Sequence, residues 1–174
     1  IVEAEAYAED DPASHSFGGF RNRNATLFGS PGHLEVYLTY GIHHLANVVC
    51  QPTGVGAGVL LRALSPLAGI ETMRERRSNP RSPDHLLCSG PGRLCQAFAL
   101  GRAENATDLG HGQMRILDDG VAPAIAASTR VGLTTGRELA WRFYVPDDPS
   151  VSSVRANLQP RSRSRGAPGH RRRP

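Results

Sequence analysis

The sequence contains no lysine, and all 20 of its basic residues are arginine. A mechanism that requires a lysine amine, such as formation of a Schiff base, is therefore excluded within this chain. Cysteine is nearly as scarce, because only Cys50, Cys88 and Cys95 occur and they form no CxxC pair. This argues against a disulfide framework or a cysteine-built zinc site and indicates a reducing cytoplasm. No apolar run approaches the ~18 residues of a membrane-spanning helix, and no signal peptide opens the chain.

The arginines are unevenly distributed along the 174 residues. Residues 155–174 contain seven arginines and no acidic residue, whereas residues 1–154 contain 13 arginines and 16 acidic residues, a net charge of −3. The sequence pI of about 9.4 therefore reflects the end of the chain and is weak evidence that the rest binds nucleic acid. We predict one globular domain over residues 1–153 and an arginine-rich, disordered tail over residues 154–174.

The first part of the chain alternates between strand and loop signals. Residues 1–7 alternate in a way that predicts a strand, with the odd-numbered residues on one face. Residues 8–33 are rich in Gly, Asp, Ser, Asn and Pro and are predicted to form a loop, whose length favours a functional role. The runs 34–40 and 44–50 are predicted to pair as a β-hairpin around Gly41.

Helix signals follow the hairpin. Residues 59–64 form another apolar run, which leads to a predicted helix that starts at Ser65-Pro66, because proline is favoured at the first helical position. A second helix is predicted to start at Ser89-Gly90-Pro91, and residues 141–145 are predicted to form a last strand.

Glu3 and Glu5 are candidates for acid–base chemistry. Their side chains share a strand face at a spacing of roughly 6.5–7 Å, which is near that of the paired carboxylates of inverting glycoside hydrolases. The alternative is a pair of solvated acids on an edge strand. Tyr7 on the same face and His15 in the loop favour the first reading, because a desolvated carboxylate has a raised pKa suited to general-base catalysis.

The hairpin contains two tyrosines of opposite parity, which cannot line the same face. Tyr37 is either a core residue or a pocket wall. Tyr40 lies at the predicted tip, where it is either an interface aromatic or a wedge that enters DNA from the minor groove. His43 and His44 are adjacent and cannot both face one metal ion from a regular strand, so no metal site is predicted.

Several short motifs occur in an order that identifies a family. Together they resemble the alkyladenine (3-methyladenine) DNA glycosylases, the methylpurine glycosylases of base-excision repair, over residues 1–153. The motifs are Ile-Val-Glu-Ala-Glu-Ala-Tyr (1–7), His15-Ser16, Arg23-Asn24, Pro31-Gly32-His33, Val36-Tyr37, Thr39-Tyr40-Gly41, Asn47-Val48-Val49, Leu60-Leu61-Arg62-Ala63-Leu64, Gly69-Ile70-Glu71-Thr72-Met73-Arg74, Leu87-Cys88-Ser89-Gly90-Pro91 and Arg142-Phe143-Tyr144-Val145. Family members carry a segment before the catalytic strand that is missing here, so the resemblance implies an N-terminally truncated chain.

The resemblance implies a role for each matching residue. Glu5 matches the glutamate that activates water, and Arg62 matches an arginine near that water and the target phosphate. The base pocket is implied to consist of aromatic walls and of an asparagine that crowds the 2-amino group of guanine, namely Tyr7, His15, Tyr37 and Asn47. The DNA wedge is implied to consist of Tyr40, Ile42 and His43, and Arg23 lies in the loop that approaches the DNA backbone.

Physical arguments support this reading. A base must leave the stack before an enzyme can act on it, which requires a flat aromatic pocket and a residue that fills the gap. A three-residue hairpin loop of Gly41, Ile42 and His43 would place Tyr37 directly opposite Asn47. Arg62 could hold a phosphate and orient water, or could form an ordinary surface ion pair. Without lysine, water rather than an amine would attack the sugar.

The predicted fold is α+β: a curved, mainly antiparallel sheet with flanking helices and a protruding hairpin. The predicted function is that of a monofunctional DNA glycosylase that flips alkylated or deaminated purines and excises them hydrolytically. The expected partner is double-stranded DNA containing damaged purines, with no cofactor, metal, membrane or protein partner, and the protein is expected to be a monomer in a bacterial cytoplasm, near the nucleoid. The alternatives are a glycoside hydrolase that uses Glu3 and Glu5, and a catalytically silent DNA-binding fragment.

Overall fold

The computed structural model describes residues 1–153, which form one six-stranded antiparallel sheet that does not close. The strand order is β2-β3-β4-β1-β6-β5, so β1 lies inside the sheet and pairs with both β4 and β6. The strands are β1 (Glu3–Tyr7), β2 (Leu34–Thr39), β3 (His43–Val49), β4 (Gly58–Ala63), β5 (Ala126–Ser128) and β6 (Arg142–Tyr144). With its flanking helices this confirms the α+β prediction. The predicted tail, 154–174, lies outside the described residues.

One face of the sheet is apolar and packs against the helices. The helices are α1 (Ile70–Arg76) and α2 (Pro91–Phe98), with short 3-10 helices at Asn22–Phe28, Asp84–Leu86 and Arg102–Glu104. Alternate residues of β2, β3 and β4 meet the two α-helices in a core that includes Leu34, Val36, Ala46, Leu61, Met73, Leu87, Cys88, Leu94 and Cys95. Since alternate strand residues point to opposite faces, the other residues of the strands are free to build a polar face.

The sequence predicted the start of one α-helix correctly and that of the other incorrectly. Helix α2 begins at Pro91, as Ser89-Gly90-Pro91 predicted. Helix α1 begins at Ile70, five residues after Ser65, so the start predicted at Ser65-Pro66 is wrong. Gly69 caps the helix with a φ of 73°, a left-handed conformation that cannot lie inside a right-handed helix. The chain therefore turns into α1 only after Gly69.

The hairpin forms around the predicted turn, but its register differs from the prediction. Thr39 pairs with His43, so Tyr37 lies opposite Leu45 and Asn47 lies opposite Glu35. The predicted pairing of Tyr37 with Asn47 is therefore wrong. Tyr40 and Gly41 both have positive φ and form a tight turn, closed by the N–H of Ile42, which donates to the Thr39 carbonyl at 3.0 Å. The connecting residues are thus 40–42 rather than 41–43.

The segment 8–33 is less irregular than predicted, because its second half contains the 3-10 helix Asn22–Phe28. Leu27 and Phe28 at the end of this helix are buried. Burial of these two side chains holds the loop against the polar face of the sheet. Within residues 1–153, no helix is long and apolar enough to cross a membrane.

Candidate active site

The face of the sheet opposite the helices carries polar side chains that are almost fully buried. Strand pairing aligns Glu35, Asn47, Leu60 and Glu5 in one row across β2, β3, β4 and β1. The 3-10 helix Asn22–Phe28 contacts β2 and β3, and Val131 contacts Glu5 at the other end of the row. The buried polar residues of this face are Glu3, Glu5, Glu35, Asn47, Arg62 and Arg142, none more than 7% exposed.

Glu5 is completely buried and is held by two hydrogen bonds and an ion pair. The hydroxyl of Tyr7 donates to Oε2 at 2.8 Å, and the backbone N–H of Val131 donates to Oε1 at 2.8 Å. Nη1 of Arg62 lies 3.3 Å from Oε2. An ionised carboxylate offers about four acceptor positions, so these contacts fix the orientation of Glu5 and leave Oε1 able to accept one further hydrogen bond.

Glu3 and Arg62 form a buried ion pair beside Glu5. Nε of Arg62 and Nε of Arg142 donate to Oε1 of Glu3 at 2.8 and 2.7 Å, and the N–H and hydroxyl of Ser152 donate at 2.6 and 2.9 Å. Burial would raise the pKa of Glu3, but the Arg142 hydrogen bond, the Arg62 charge and the Ser152 contacts together hold it below its ordinary value. Glu3 is thus saturated with donors.

These contacts correct two sequence interpretations. The two glutamates are not solvated acids on an edge strand, because β1 is paired on both sides and both carboxylates are buried. Arg62 does not form a surface ion pair, because its guanidinium bridges Glu3 and Glu5 in the interior. A sugar placed between the two carboxylates would have to displace that guanidinium, so the geometry opposes the glycoside-hydrolase alternative.

Aromatic rings stand next to the Glu5 carboxylate. The rings of His15 and Tyr37 pack edge to face, with centroids 4.1 Å apart, and the Tyr7 ring is tied to Glu5 through its hydroxyl. Burial and then the neighbouring Glu5 raise the pKa of Tyr7, and burial and then Glu35 raise that of Tyr37, so both phenols stay neutral. Burial and the charge of Arg23 lower the pKa of His15. The structure thus brings the predicted pocket walls together as uncharged rings.

Asn24 explains how an irregular loop delivers His15 to this place. Its side-chain amide donates to the carbonyls of His15 and Gly19 at 2.9 and 3.2 Å, and its Oδ1 accepts from the N–H of Arg21 at 2.7 Å. The amide is buried and therefore fixes three separate points of the loop. Arg23, which precedes it, remains exposed at the surface beside His15.

The tip of the hairpin exposes a large aromatic side chain and its neighbours to solvent. Tyr40 is 90% exposed and Ile42 is 71% exposed, and His43 is also exposed. Large apolar side chains that protrude together from a turn gain nothing from the protein's own core. Their role as a DNA wedge stays a prediction.

Arg130 is a buried residue for which the sequence analysis gave no role. Its guanidinium forms a two-pronged ion pair with Asp11 and lies 4.5 Å from the centroid of the Tyr7 ring. It also donates to the carbonyls of Ala6 and Gly136 at 2.9 and 3.0 Å. Arg130 therefore anchors the segment 129–136 to β1 and supports the ring that holds Glu5.

Other residues of the site were also missed from the sequence. Val131 acts through its backbone N–H, which carries no side-chain signal at all. Ser152 lies 149 residues from the glutamate that it contacts, and Arg130 lies 119 residues from Asp11. Arg142 belongs to a recognised motif, but its ion pair with Glu3 required the strand order. Within residues 1–153 no three His, Cys, Asp or Glu side chains are placed to hold a metal ion.

Comparisons with known proteins agree with the resemblance. The family model described as "Methylpurine-DNA glycosylase (MPG)" matches residues 1–149. A protein of Burkholderia lata named "Putative 3-methyladenine DNA glycosylase" is 50% identical over 157 residues, which cover 87% of this chain and 75% of the relative. Proteins of the same name from Nitrosospira multiformis and Rubrobacter xylanophilus are 41% and 46% identical, over 87% and 83% of this chain and 78% and 75% of their own.

Proposed function

This chain belongs to the methylpurine-DNA glycosylase family and is a hydrolase of N-glycosyl bonds in DNA, and from that premise we propose that it flips alkylated or deaminated purines out of duplex DNA and excises them, leaving abasic sites. Its relatives' names give 3-methyladenine as one substrate. The observation that carries the proposal is the Glu5 carboxylate, which is buried, oriented by two hydrogen bonds and an ion pair, and left with an acceptor position on Oε1.

Glu5 acts as the general base. It takes a proton from a water molecule, whose oxygen forms a bond with C1′ of the damaged nucleotide while the bond from C1′ to the purine nitrogen breaks. The electron pair of that bond leaves with the purine, and an alkylated purine leaves readily because it is already cationic. Arg62 holds the Glu5 carboxylate in place. Because the Arg62 side chain is buried, we favour this role for Arg62 over direct contact with a DNA phosphate.

The aromatic rings hold the extruded purine. Tyr7, His15 and Tyr37 provide uncharged faces close to Glu5, on which a purine can stack. A cationic alkylated purine gains additional attraction from the electron-rich face of a tyrosine ring. Asn47 lies on the same face of the sheet as Tyr37 and is placed to test the edge of the base.

The hairpin tip keeps the duplex open. Tyr40, supported by Ile42 and His43, enters from the minor groove and fills the gap that the extruded nucleotide leaves. The exposed guanidinium of Arg23 contacts the phosphate backbone near the pocket. Residues 1–153 form the glycosylase domain, and the reaction requires only water and this chain's own groups, so the protein acts as a monomer without a cofactor.

The test uses duplexes that carry a single hypoxanthine or 3-methyladenine, followed by alkali to cleave abasic sites. We expect the wild-type protein to produce cleavage at the lesion. Glu5→Gln should lower the single-turnover rate ~10²–10⁴-fold while lesion binding persists, because it keeps the shape of the side chain and removes the base.

Glu71→Gln is the matched control, because the Glu71 side chain is 79% exposed and lies outside the site. It should excise at the wild-type rate. If the wild-type protein is folded by circular dichroism and yields no alkali-sensitive site with either lesion, the proposal is wrong. The same holds if Glu5→Gln retains the wild-type rate.

A further inference from the structure

Glu35 is a buried carboxyl group that the proposed reaction does not use. Its residue is 3% exposed, and it lies on the polar face of the sheet near the aromatic rings. The other buried acids of the described chain, Glu3, Glu5 and Asp11, each form an ion pair with an arginine. Within residues 1–153, Glu35 forms none.

The partner of Glu35 is the pocket asparagine. Nδ2 of Asn47 donates to Oε2 of Glu35 at 2.6 Å, and the two residues are directly paired across β2 and β3. Asn47 is 7% exposed, so its amide cannot exchange this contact freely for water. Tyr37, two residues further along β2, shares the same face, which puts the pair at the floor of the proposed base pocket.

We propose that Glu35 is a specificity-determining residue that acts through Asn47: its carboxylate holds the Asn47 side chain in one position, in which it crowds the 2-amino group of guanine. The inference rests on the proposed function. Glu35 is a positioning residue, since it contacts Asn47 and not the substrate.

The argument depends on donors and acceptors. An ionised carboxylate can only accept hydrogen bonds, so Asn47 must turn its NH₂ group towards Glu35. A protonated carboxyl can also donate, so the amide can turn over and be held through its oxygen instead. Protonation of Glu35 therefore removes the constraint on Asn47, and the freed side chain can shift to make room for the amino group of guanine.

The surroundings of Glu35 make this change accessible near neutral pH. Burial raises the pKa of Glu35 to about 7, and the Asn47 hydrogen bond opposes this rise only in part. The titratable groups of the elements packed on β2 are Arg23, Arg102 and Glu104, with His15 and Tyr37 alongside, and none forms an ion pair with Glu35 in the described chain. The histidines of β3 lie at the opposite end of the hairpin.

The experiment compares two neutral bases that differ only in the 2-amino group. Hypoxanthine and guanine are each placed opposite thymine in the same duplex, and single-turnover excision is measured at pH 6 and pH 8. The ratio of the two rates cancels any pH dependence that excision of the two bases has in common. For the wild-type protein we expect the preference for hypoxanthine to be roughly 10-fold larger at pH 8 than at pH 6.

Glu35→Gln removes the ionisable group and keeps the shape. It should show a low preference at both pH values and still excise hypoxanthine. Glu104→Gln, which neutralises an acid on a neighbouring element, should retain the wild-type pH dependence. A wild-type preference that does not change with pH would overturn the proposal even if Glu35→Gln failed to fold, as would unaltered pH dependence in that variant. Release of 3-methyladenine without release of hypoxanthine by the wild-type protein would overturn this inference alone, whereas failure with both lesions would overturn the proposed function as well.

Discussion

Two clusters of buried polar side chains share one face of the sheet, and their carboxyl groups have opposite electrostatic surroundings. In the charged cluster, made up of Glu3, Glu5, Arg62 and Arg142, each carboxylate lies within ion-pair distance of an arginine. In the pocket floor, made up of Glu35 and Asn47, the carboxyl group is hydrogen-bonded to a neutral amide instead of an arginine. Burial acts in the same direction on Glu3 and Glu35, yet the pKa of Glu3 is held below its ordinary value and that of Glu35 is raised to about 7.

The difference shows that the partner decides what burial does to an acid. An arginine keeps a buried carboxylate ionised and makes it dependent on the ion pair. An amide cannot replace the lost hydration of a charge, so the acid retains its proton over a wider pH range. The charged cluster is thus suited to holding a carboxylate in a fixed orientation, and the pocket floor is suited to changing its hydrogen bonding.

The largest expected effect comes from breaking the charged cluster at Glu3. Glu3→Gln should lower the free energy of unfolding by about 3–5 kcal/mol, because it leaves Arg62 and Arg142 without their shared buried counter-charge. Urea unfolding at pH 7 measures this loss. Where the variant is folded, its single-turnover excision rate should fall far less than that of Glu5→Gln.

Glu5→Gln is the natural control for that prediction, because it changes the neighbouring carboxylate in the same way. It leaves the ion pair of Glu3 with Arg62 in place, so it should lose less stability and nearly all of its activity. The assignment of one structural and one catalytic glutamate is wrong if Glu3→Gln is the more damaging change to the excision rate.

The contributions of Glu3 and Glu35 to the free energy of unfolding are expected to change with pH in opposite directions. Because the folded-state pKa of Glu3 is lowered, its contribution is present above the ordinary carboxyl pKa and is lost as the pH falls through the folded value. Because the pKa of Glu35 is raised from 4.5 to about 7, the protonated carboxyl contributes about 3 kcal/mol of stability, which is fully present below the ordinary value and is lost as the pH rises from about 4.5 to about 7.

Thermal or urea unfolding of Glu35→Gln between pH 5 and pH 8 tests this sign. Relative to the wild-type protein, the variant should gain stability as the pH rises, because it has no carboxyl group to ionise. Glu3→Gln should not show that gain. A constant difference between wild-type protein and Glu35→Gln across this range would mean that Glu35 has an ordinary pKa.

The sequence predicted the elements of this face better than their alignment. Alternation over 1–7 placed both glutamates on one face, and the tyrosine and glycine pattern located the hairpin. The register was wrong by two residues because Tyr40 adopts a positive φ of 49°, an uncommon conformation for a large side chain. That single turn decided that Glu35, and not Tyr37, lies opposite Asn47.

The partners of the buried charges could not be predicted for a different reason. Arg130 and Asp11 are 119 residues apart, and Ser152 meets Glu3 across 149 residues, so no local pattern connects them. The state of Glu35 depends on its having no ion-pair partner among residues 1–153, which only the packed structure reveals. Local periodicity specifies which face a residue occupies, whereas the ion pairs depend on the strand order.

The smallest expected effect concerns the two ends of the hairpin. The strand end carries the pocket floor, and the tip carries Tyr40. Tyr40→Ala should leave stability nearly unchanged, because the side chain is 90% exposed, and should cost about 1–3 kcal/mol of stacking in capture of the extruded nucleotide. Tyr37→Ala should instead damage the pocket. With a duplex in which the target base faces an abasic gap, extrusion is easier, so the excision rate of Tyr40→Ala should recover in part while that of Tyr37→Ala does not. Equal recovery of both variants would show that Tyr40 at the tip and Tyr37 in the strand do not have separate roles.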